Sequence, residues 1–138
     1  MTNINFGFIV NDNEHGVKKA FDREDYLQAF LLIHTLMESL LRAFLNVTDD
    51  NFKFQQLIRK YKEFLNEENP GDKNFVNELT EFNRRRNRII HSLWKKGYTY
   101  TNRQAKDASF VAHLIYGLFI EYLTTYNENL EEHGFHYN

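Results

Sequence analysis

Apolar side chains recur at helical spacing through most of this chain, and four segments carry the pattern. The predicted helices run from about Asp22 to Asn46, Asp50 to Asn66, Asp72 to Trp94 and Asn102 to Glu132. The third stripe has spacings of 3, 4 and 7 residues and consists of Phe75, Leu79, Phe82, Ile89 and Leu93. The fourth consists of Val111, Leu114, Ile115, Leu118, Tyr122 and Tyr126. This pattern predicts an all-α fold, an antiparallel bundle of four to five helices without a central strand.

Caps and breakers mark the predicted helix ends. Asp22 is a predicted N-cap followed by Glu24 and Asp25, where the helix dipole favours acids. The sequence NPGD at 69–72 ends the second helix, and Gly134 follows the fourth. Residues 1–17 are rich in Asn and carry a short apolar patch. We expect them to form an extended arm or a lid beside a single helical domain at 18–138.

Three polar side chains lie inside the predicted apolar stripes. His34 and Glu38 share the heptad of Leu27 and Leu41 in the first helix, and Arg86 lies in the stripe of the third. Because burying an unpaired charge is costly, Glu38 and Arg86 are predicted to face each other across the bundle. Such a pair either orients the Arg86 guanidinium for function or only fixes the helix register. We interpret His34 as a hydrogen-bonded core histidine.

Composition and charge narrow the class of protein. The 138 residues suit one domain, and the absence of Cys excludes disulfides, a thiolate nucleophile and a Cys-based zinc site. The net charge is −2, yet eight Lys or Arg and no acid lie between Arg84 and Lys106. This basic block on an acidic body indicates a local anionic partner more than a solvated helix face.

Nothing in the sequence indicates secretion or a membrane. The N-terminus lacks the features of a signal peptide, and no stretch approaches the roughly 18 apolar residues of a membrane span. The longest apolar run, Phe110–Leu123, is interrupted by His113 and Glu121 and predicts a core helix. We therefore expect a cytoplasmic protein without a membrane partner.

The basic block contains a short motif, RNRIIH at Arg86–His91, of the form R-N-x-x-x-H. Asn87 and His91 share a helix face, whereas Arg86 and His91 are about 140° apart on an ideal helix. They therefore flank one groove, or converge if the helix ends or bends near His91. The motif resembles the R-x(4–6)-H signature of the HEPN family, small bundles of four or five helices with the motif late in the third main helix. The resemblance extends from about Asp22 to Glu132.

Many HEPN proteins are metal-independent endoribonucleases that act as toxins of toxin–antitoxin pairs or as phage-defence effectors. They are usually homodimers whose two motifs meet in one cleft. The resemblance thus implies catalytic roles for Arg86 and His91, supported by Asn87 and by Glu38 on the first long helix. It also implies a homodimer and a possible antitoxin partner. Leu93 stands where toxins regulated by tyrosine modification tend to have Tyr, so that regulation is not expected.

The expected reaction uses the 2′-OH of RNA as the nucleophile and needs no metal or cofactor. Arg86 is predicted to stabilise the charge on the phosphate, and His91 to act as general base or acid. The products would be a 2′,3′-cyclic phosphate and a 5′-OH. Further predicted RNA-binding residues hold the backbone or stack on single-stranded or loop bases: Arg84, Arg85, Arg88, Lys95, Lys96, Trp94, Tyr98 and Tyr100. For Trp94 we favour packing in the core or an interface.

Two other functions remain open from the sequence. One is a non-catalytic HEPN-like module that binds RNA, a nucleotide or a protein through the same basic face. The other is an interaction bundle, such as an immunity or toxin-neutralising subunit. The first helix carries a second apolar flank, which fits a subunit interface: Phe30, Ile33, Met37, Leu40 and Phe44.

Overall fold

The structure, a computed structural model, describes residues 5–68 and 74–135. Its helices are α1 (Phe6–Asp22), α2 (Tyr26–Leu45), α3 (Phe54–Glu68), α4 (Asn74–Lys96) and α5 (Tyr98–Thr124), with a short 3-10 helix at Glu128–His133. No strand occurs in these ranges, and the predicted all-α class is confirmed. The predicted helix stop at 69–72 and helix start at Asp72 lie outside the described residues.

Helix α2 lies at the centre of the bundle. It contacts each of the other four α-helices and the 3-10 helix. Phe30, Ile33, Met37 and Leu40 on its second apolar flank are fully buried. The chain itself therefore covers the wide apolar surface of α2, which gives no support for a subunit interface there.

Helix α2 is also long and apolar enough to cross a membrane, with a mean hydropathy of 1.2. The expectation that no stretch approaches a membrane span is therefore wrong, judged by helix length and mean hydropathy. Half of the apolar window is buried inside the protein, and a core helix of a soluble protein passes the same test.

The N-terminal region forms a helix of the bundle. Val10, Val17 and Ala20 of α1 are buried, and α1 contacts α2. The predicted boundary at residue 17 thus falls inside a helix, and an extended arm is not observed in the described residues from Asn5 onward. Helix α1 ends at Asp22, and the chain turns at Glu24, which has a φ of 57°. The α2 cap is therefore Asp25, whose side chain accepts from the Gln28 amide at 3.2 Å, and not Asp22.

Helix α5 buries a different face from the predicted one. Val111, Leu114 and Leu118 are 44%, 62% and 47% exposed. The buried positions in the first half of α5 are small: Thr101, Ala105, Ser109 and Ala112. Small side chains let α5 lie close against α2, whereas an apolar periodicity alone gives weight only to large residues. The α5 start at Tyr98 also precedes the predicted Asn102, because Gly97 with a φ of 85° turns the chain directly after α4.

Side-chain contacts set the direction of α4 and α5 against α2. His34 of α2 bonds to Asn83 of α4, and the Leu27 amide donates to Asn102 Oδ1 near the start of α5 at 2.8 Å. The start of α2 thus lies beside the α4–α5 turn, so that α4 runs antiparallel to α2. Helix α4 consequently has α2 on one side and α5 on the other.

Candidate functional site

Arg86 lies in the core-facing stripe of α4 but has no acidic partner among the described residues. Its side chain is half-buried, and its Nη1 donates to Asn87 Oδ1 at 3.3 Å. Within the described residues, the two side-chain ion pairs join other residues, and no carboxylate oxygen lies within 4.0 Å of the Arg86 guanidinium. A half-buried guanidinium without a carboxylate is open to an anion from outside the chain.

Arg86 lines a cavity of about 450 Å³ between α2, α4 and the loop that leads into α3. We call this cavity the α2–α4 groove. Its lining residues are His34, Glu38, Arg42, Asp50, Phe52, Lys53, Phe54, Gln55, Asn83, Arg86 and Asn87. Three of the four predicted catalytic residues, Arg86, Asn87 and Glu38, therefore line one groove.

The predicted pairing of Glu38 with Arg86 is wrong. Glu38 Oε2 instead accepts from Arg42 Nε at 3.0 Å, one turn further along α2. This local pair forms because residues i and i+4 of a helix lie side by side. Glu38 therefore shares the groove with Arg86 but does not hold its guanidinium.

Arg42 also fixes the loop that forms one wall of the groove. Its Nη1 donates to the Asp49 carbonyl at 2.9 Å and its Nη2 to the Phe52 carbonyl at 2.6 Å. Its side chain is only 12% exposed. Reasoning from the sequence did not identify Arg42, although the i,i+4 spacing to Glu38 was a signal. Arg42 is a positioning residue for the groove.

His34 forms part of the groove floor and is uncharged at neutral pH. Its ring lies against Phe54 and Phe82, at centroid distances of 4.4 and 5.0 Å, and its Nε2 is 3.2 Å from Asn83 Oδ1. The pKa of His34 is lowered to about 4, because the lowering by burial and by the nearby Arg86 charge outweighs the raising by the Asn83 hydrogen bond. The predicted core histidine is therefore found, and it is a poor proton donor near pH 7.

His91 does not line the α2–α4 groove. It is exposed on α4, with its ring in edge contact with Trp94 at 5.3 Å. Helix α4 continues to Lys96, so it does not end at the motif. His91 is therefore about 7.5 Å along the axis from Arg86 and about 140° around it. Within one protomer these two residues do not converge on the groove.

Two other arginines of the basic block line a second cavity, of about 460 Å³, on the opposite side of α4. We call it the α4–α5 groove. Its lining residues are Arg85, Arg88, Ile89, Gln104, Asp107, Ala108 and Val111. Arg84 lines neither groove and pairs with Glu81 at 2.6 Å. The basic block is thus divided over three directions.

The remaining predicted RNA-binding residues surround the α4–α5 turn. Trp94 is 71% exposed, so packing in the protomer core is excluded for it. Lys95 and Lys96 lie over the rings of Trp94 and Tyr100, at 5.9 and 4.6 Å from the ring centroids. Tyr98 is half exposed, and a hydrogen bond to Asp25 raises its pKa. These residues form an exposed aromatic and basic surface beyond His91.

No cluster of three His, Asp or Glu that could hold a metal ion occurs in the described part of the chain. The comparisons with family models, curated proteins and solved structures found no match to this chain. The likeness to the HEPN family therefore rests on the residues of this chain alone.

Proposed function

We propose that this protein is a metal-independent endoribonuclease of the HEPN type that holds an RNA phosphate on Arg86 in the α2–α4 groove. The observation that carries the proposal is the Arg86 guanidinium, which is half-buried in a groove without a carboxylate partner among the described residues. A planar fork of donors in this setting suits the non-bridging oxygens of a phosphate.

Attack of the ribose 2′-OH on the adjacent phosphorus breaks the bond to the 5′-oxygen of the next nucleotide. His91 takes the 2′-OH proton or supplies a proton to the 5′-oxygen, and solvent water fills the other role. Arg86 stabilises the charge that develops on the phosphate in the transition state. Asn87, next to Arg86 on the rim, orients the ribose or the phosphate. The reaction leaves a 2′,3′-cyclic phosphate and a 5′-OH.

Proton transfer requires His91, which a second copy of the chain brings to the groove. His34 is uncharged near pH 7 and cannot replace it as an acid, because its pKa is about 4. In a symmetric homodimer, His91 of one protomer faces Arg86 of the other. Residues around the α4–α5 turn, among them Trp94 and Lys95, then border the same cleft and hold single-stranded or loop RNA.

The exposed face of α5 offers a second surface for self-association, on the side of α4 away from Arg86. Leu114 and Leu118 continue the apolar surface of Val111, which lines the α4–α5 groove. Asp107 and Arg88 line the same groove with opposite charges. A two-fold axis would place this patch against its own copy, in a contact separate from the one that brings His91 to Arg86.

The separation of Arg86 and His91 along a continuous helix favours one second candidate, a non-catalytic module that binds RNA through Arg86. In either case the protein acts in the cytoplasm. The catalytic form is a toxin or phage-defence effector, with an antitoxin as a possible protein partner.

The test is cleavage of mixed cellular RNA by the purified protein in EDTA. Wild type runs beside Arg86→Ala and His91→Ala, each checked for folding by circular dichroism. We expect wild type to cleave with 2′,3′-cyclic phosphate ends, and both folded variants to lose at least 100-fold in rate. RNA binding without cleavage by wild type would establish the binding module instead. Absence of both would contradict both proposals.

A further inference from the structure

We propose that the α2–α4 groove also holds a guanine base, whose N1–H and N2–H₂ groups donate to the Glu38 carboxylate. The inference rests on the proposed function, since the guanine belongs to the RNA strand whose phosphate lies on Arg86. It adds a preference for guanine to that function. Nothing in the basic block implies such a preference.

Glu38 is an acceptor held in a fixed position. Its Oε2 is engaged by Arg42 Nε at 3.0 Å, while its side chain is 38% exposed and lines the groove. Within the described residues, Oε1 accepts no hydrogen bond. Arg42 is in turn fixed by the Asp49 and Phe52 carbonyls. The carboxylate thus needs little ordering when a ligand arrives.

Guanine is the base whose Watson–Crick edge matches a carboxylate. Its N1–H and N2–H₂ donors lie side by side, so the two carboxylate oxygens each accept one of them. Adenine and cytosine each present one amino group beside a bare ring nitrogen, whose lone pair repels a carboxylate. Uracil presents one N–H between two carbonyl oxygens. An ionised Glu38 therefore favours guanine over the other three bases.

The rest of the groove supplies donors for the O6 and N7 acceptors of guanine. Asn83 Oδ1 is engaged by His34 Nε2, and a neutral His34 ring donates in that bond. The Asn83 amide nitrogen is thereby left as a donor in the groove lining. Lys53 adds an ammonium on the loop side, and the half-buried Phe52 offers a ring to stack on. A cavity of about 450 Å³ accommodates one base beside a phosphate.

The test compares binding of 3′-GMP, 3′-IMP and 3′-AMP by titration calorimetry. Hypoxanthine in 3′-IMP keeps N1–H, O6 and N7 and lacks only the N2 amino group. We expect wild type to bind 3′-GMP about tenfold or more tightly than 3′-IMP, because a hydrogen bond to a charged group is lost. Equal affinities of wild type for the three nucleotides would overturn the inference.

Two variants that each remove one negative charge test whether the preference for 3′-GMP depends on Glu38. Glu38→Gln keeps an oxygen for Arg42 and should reduce the preference for 3′-GMP over 3′-IMP to within about twofold. Asp50→Asn removes the same charge from the same groove, outside the Arg42 contact, and should leave the preference unchanged. If Asp50→Asn abolishes the preference as Glu38→Gln does, the assignment to Glu38 is overturned.

Further measurements distinguish this inference from the proposed function. A guanine preference in binding without cleavage in EDTA would support the base site and refute the ribonuclease. Cleavage that is indifferent to inosine in place of guanosine would refute the base site and leave the ribonuclease intact. A trinucleotide ApGpA with 2′-deoxyguanosine should bind more tightly than 3′-GMP or GTP. Tighter binding of GTP would keep the guanine site but make a free nucleotide its ligand.

Discussion

The two grooves beside α4 have nearly the same volume, about 450 and 460 Å³, but opposite character. The α2–α4 groove combines Arg86, a fixed Glu38 and amide side chains with a floor whose His34 and Asn83 are hydrogen-bonded. The α4–α5 groove has Ile89 and other apolar residues between charged ones, and it continues into an exposed apolar face of α5. The first suits a small polar ligand with a phosphate, and the second suits another protein surface.

The difference shows how one run of arginines acquires several roles. Successive residues of a helix point about 100° apart, so neighbours in the sequence face different surroundings. Arg85 and Arg88 consequently line one groove and Arg86 the other, while Arg84 pairs with Glu81. The basic block is therefore better described by its directions than by its total charge.

The largest expected effect comes from mixing two inactive variants. If His91 of one protomer serves Arg86 of the other, a mixture of Arg86→Ala and His91→Ala proteins forms dimers with one complete site. After subunit exchange, we expect about a quarter of the wild-type cleavage rate. A mixture of Arg86→Ala with the Arg86→Ala/His91→Ala double variant should stay inactive. No recovery in the first mixture would contradict a site shared between protomers.

The next effect concerns the wall of the α2–α4 groove. Arg42→Ala removes three hydrogen bonds of a largely buried guanidinium, and we expect it to lower the free energy of unfolding by about 2–3 kcal/mol. Arg88→Ala in the other groove removes an exposed side chain and should change the free energy of unfolding by less than about 0.5 kcal/mol. Urea unfolding of both variants measures the contrast. Equal losses would mean that Arg42 does not fix the loop.

A pH effect is expected from the floor of the α2–α4 groove. The pKa of His34 is about 4 in the folded protein, below its ordinary value of 6.5, so the unfolded chain binds the proton more tightly. The free energy of unfolding should thus fall as pH decreases from 6.5 toward 4, by about 1.4 kcal/mol at pH 5.5. Urea unfolding of wild type and His34→Gln at pH 7.5 and 5.5 isolates the contribution of His34 to this pH dependence. The same pH dependence in both proteins would refute it.

The last effect concerns the apolar face beside the α4–α5 groove and leaves the fold nearly unchanged. Leu114→Glu places a charge on the face proposed for the second copy, and we expect the dimer dissociation constant to rise at least tenfold. Its thermal unfolding should change little, because Leu114 is 62% exposed. Asn77→Glu, at another exposed position, is the matched control. Analytical ultracentrifugation measures both, and equal dissociation constants would place the interface elsewhere.

The sequence was sufficient for the fold class and for the position of Arg86, because both follow from apolar periodicity along α4. It was not sufficient for α5, where Ala105 and Ala112 are buried and Leu114 is exposed. Small residues at a close helix contact carry little weight in a hydrophobic pattern. The tertiary contact decides which face of α5 is buried.

The site could be predicted in part. The stripes placed Glu38 and Arg86 correctly on facing helices, but a local i,i+4 bond to Arg42 decided the pairing of Glu38. His91 was expected to flank the groove of Arg86 or to converge on it, and α4 instead continues unbroken past it. A motif in the sequence specifies residue types and spacing, whereas the surroundings of each residue depend on neighbouring helices.

The most direct test of the account is the affinity of a fluorescent single-stranded RNA for proteins that carry His91→Ala to prevent cleavage. Fluorescence anisotropy would compare that parent with versions that add Arg86→Gln or Arg88→Gln, which remove the same charge from opposite sides of α4. We expect a loss of affinity of about tenfold or more for Arg86→Gln and about twofold for Arg88→Gln. Equal losses of affinity would mean that RNA binds a diffuse basic surface. That result would contradict the assignment of the phosphate to the α2–α4 groove.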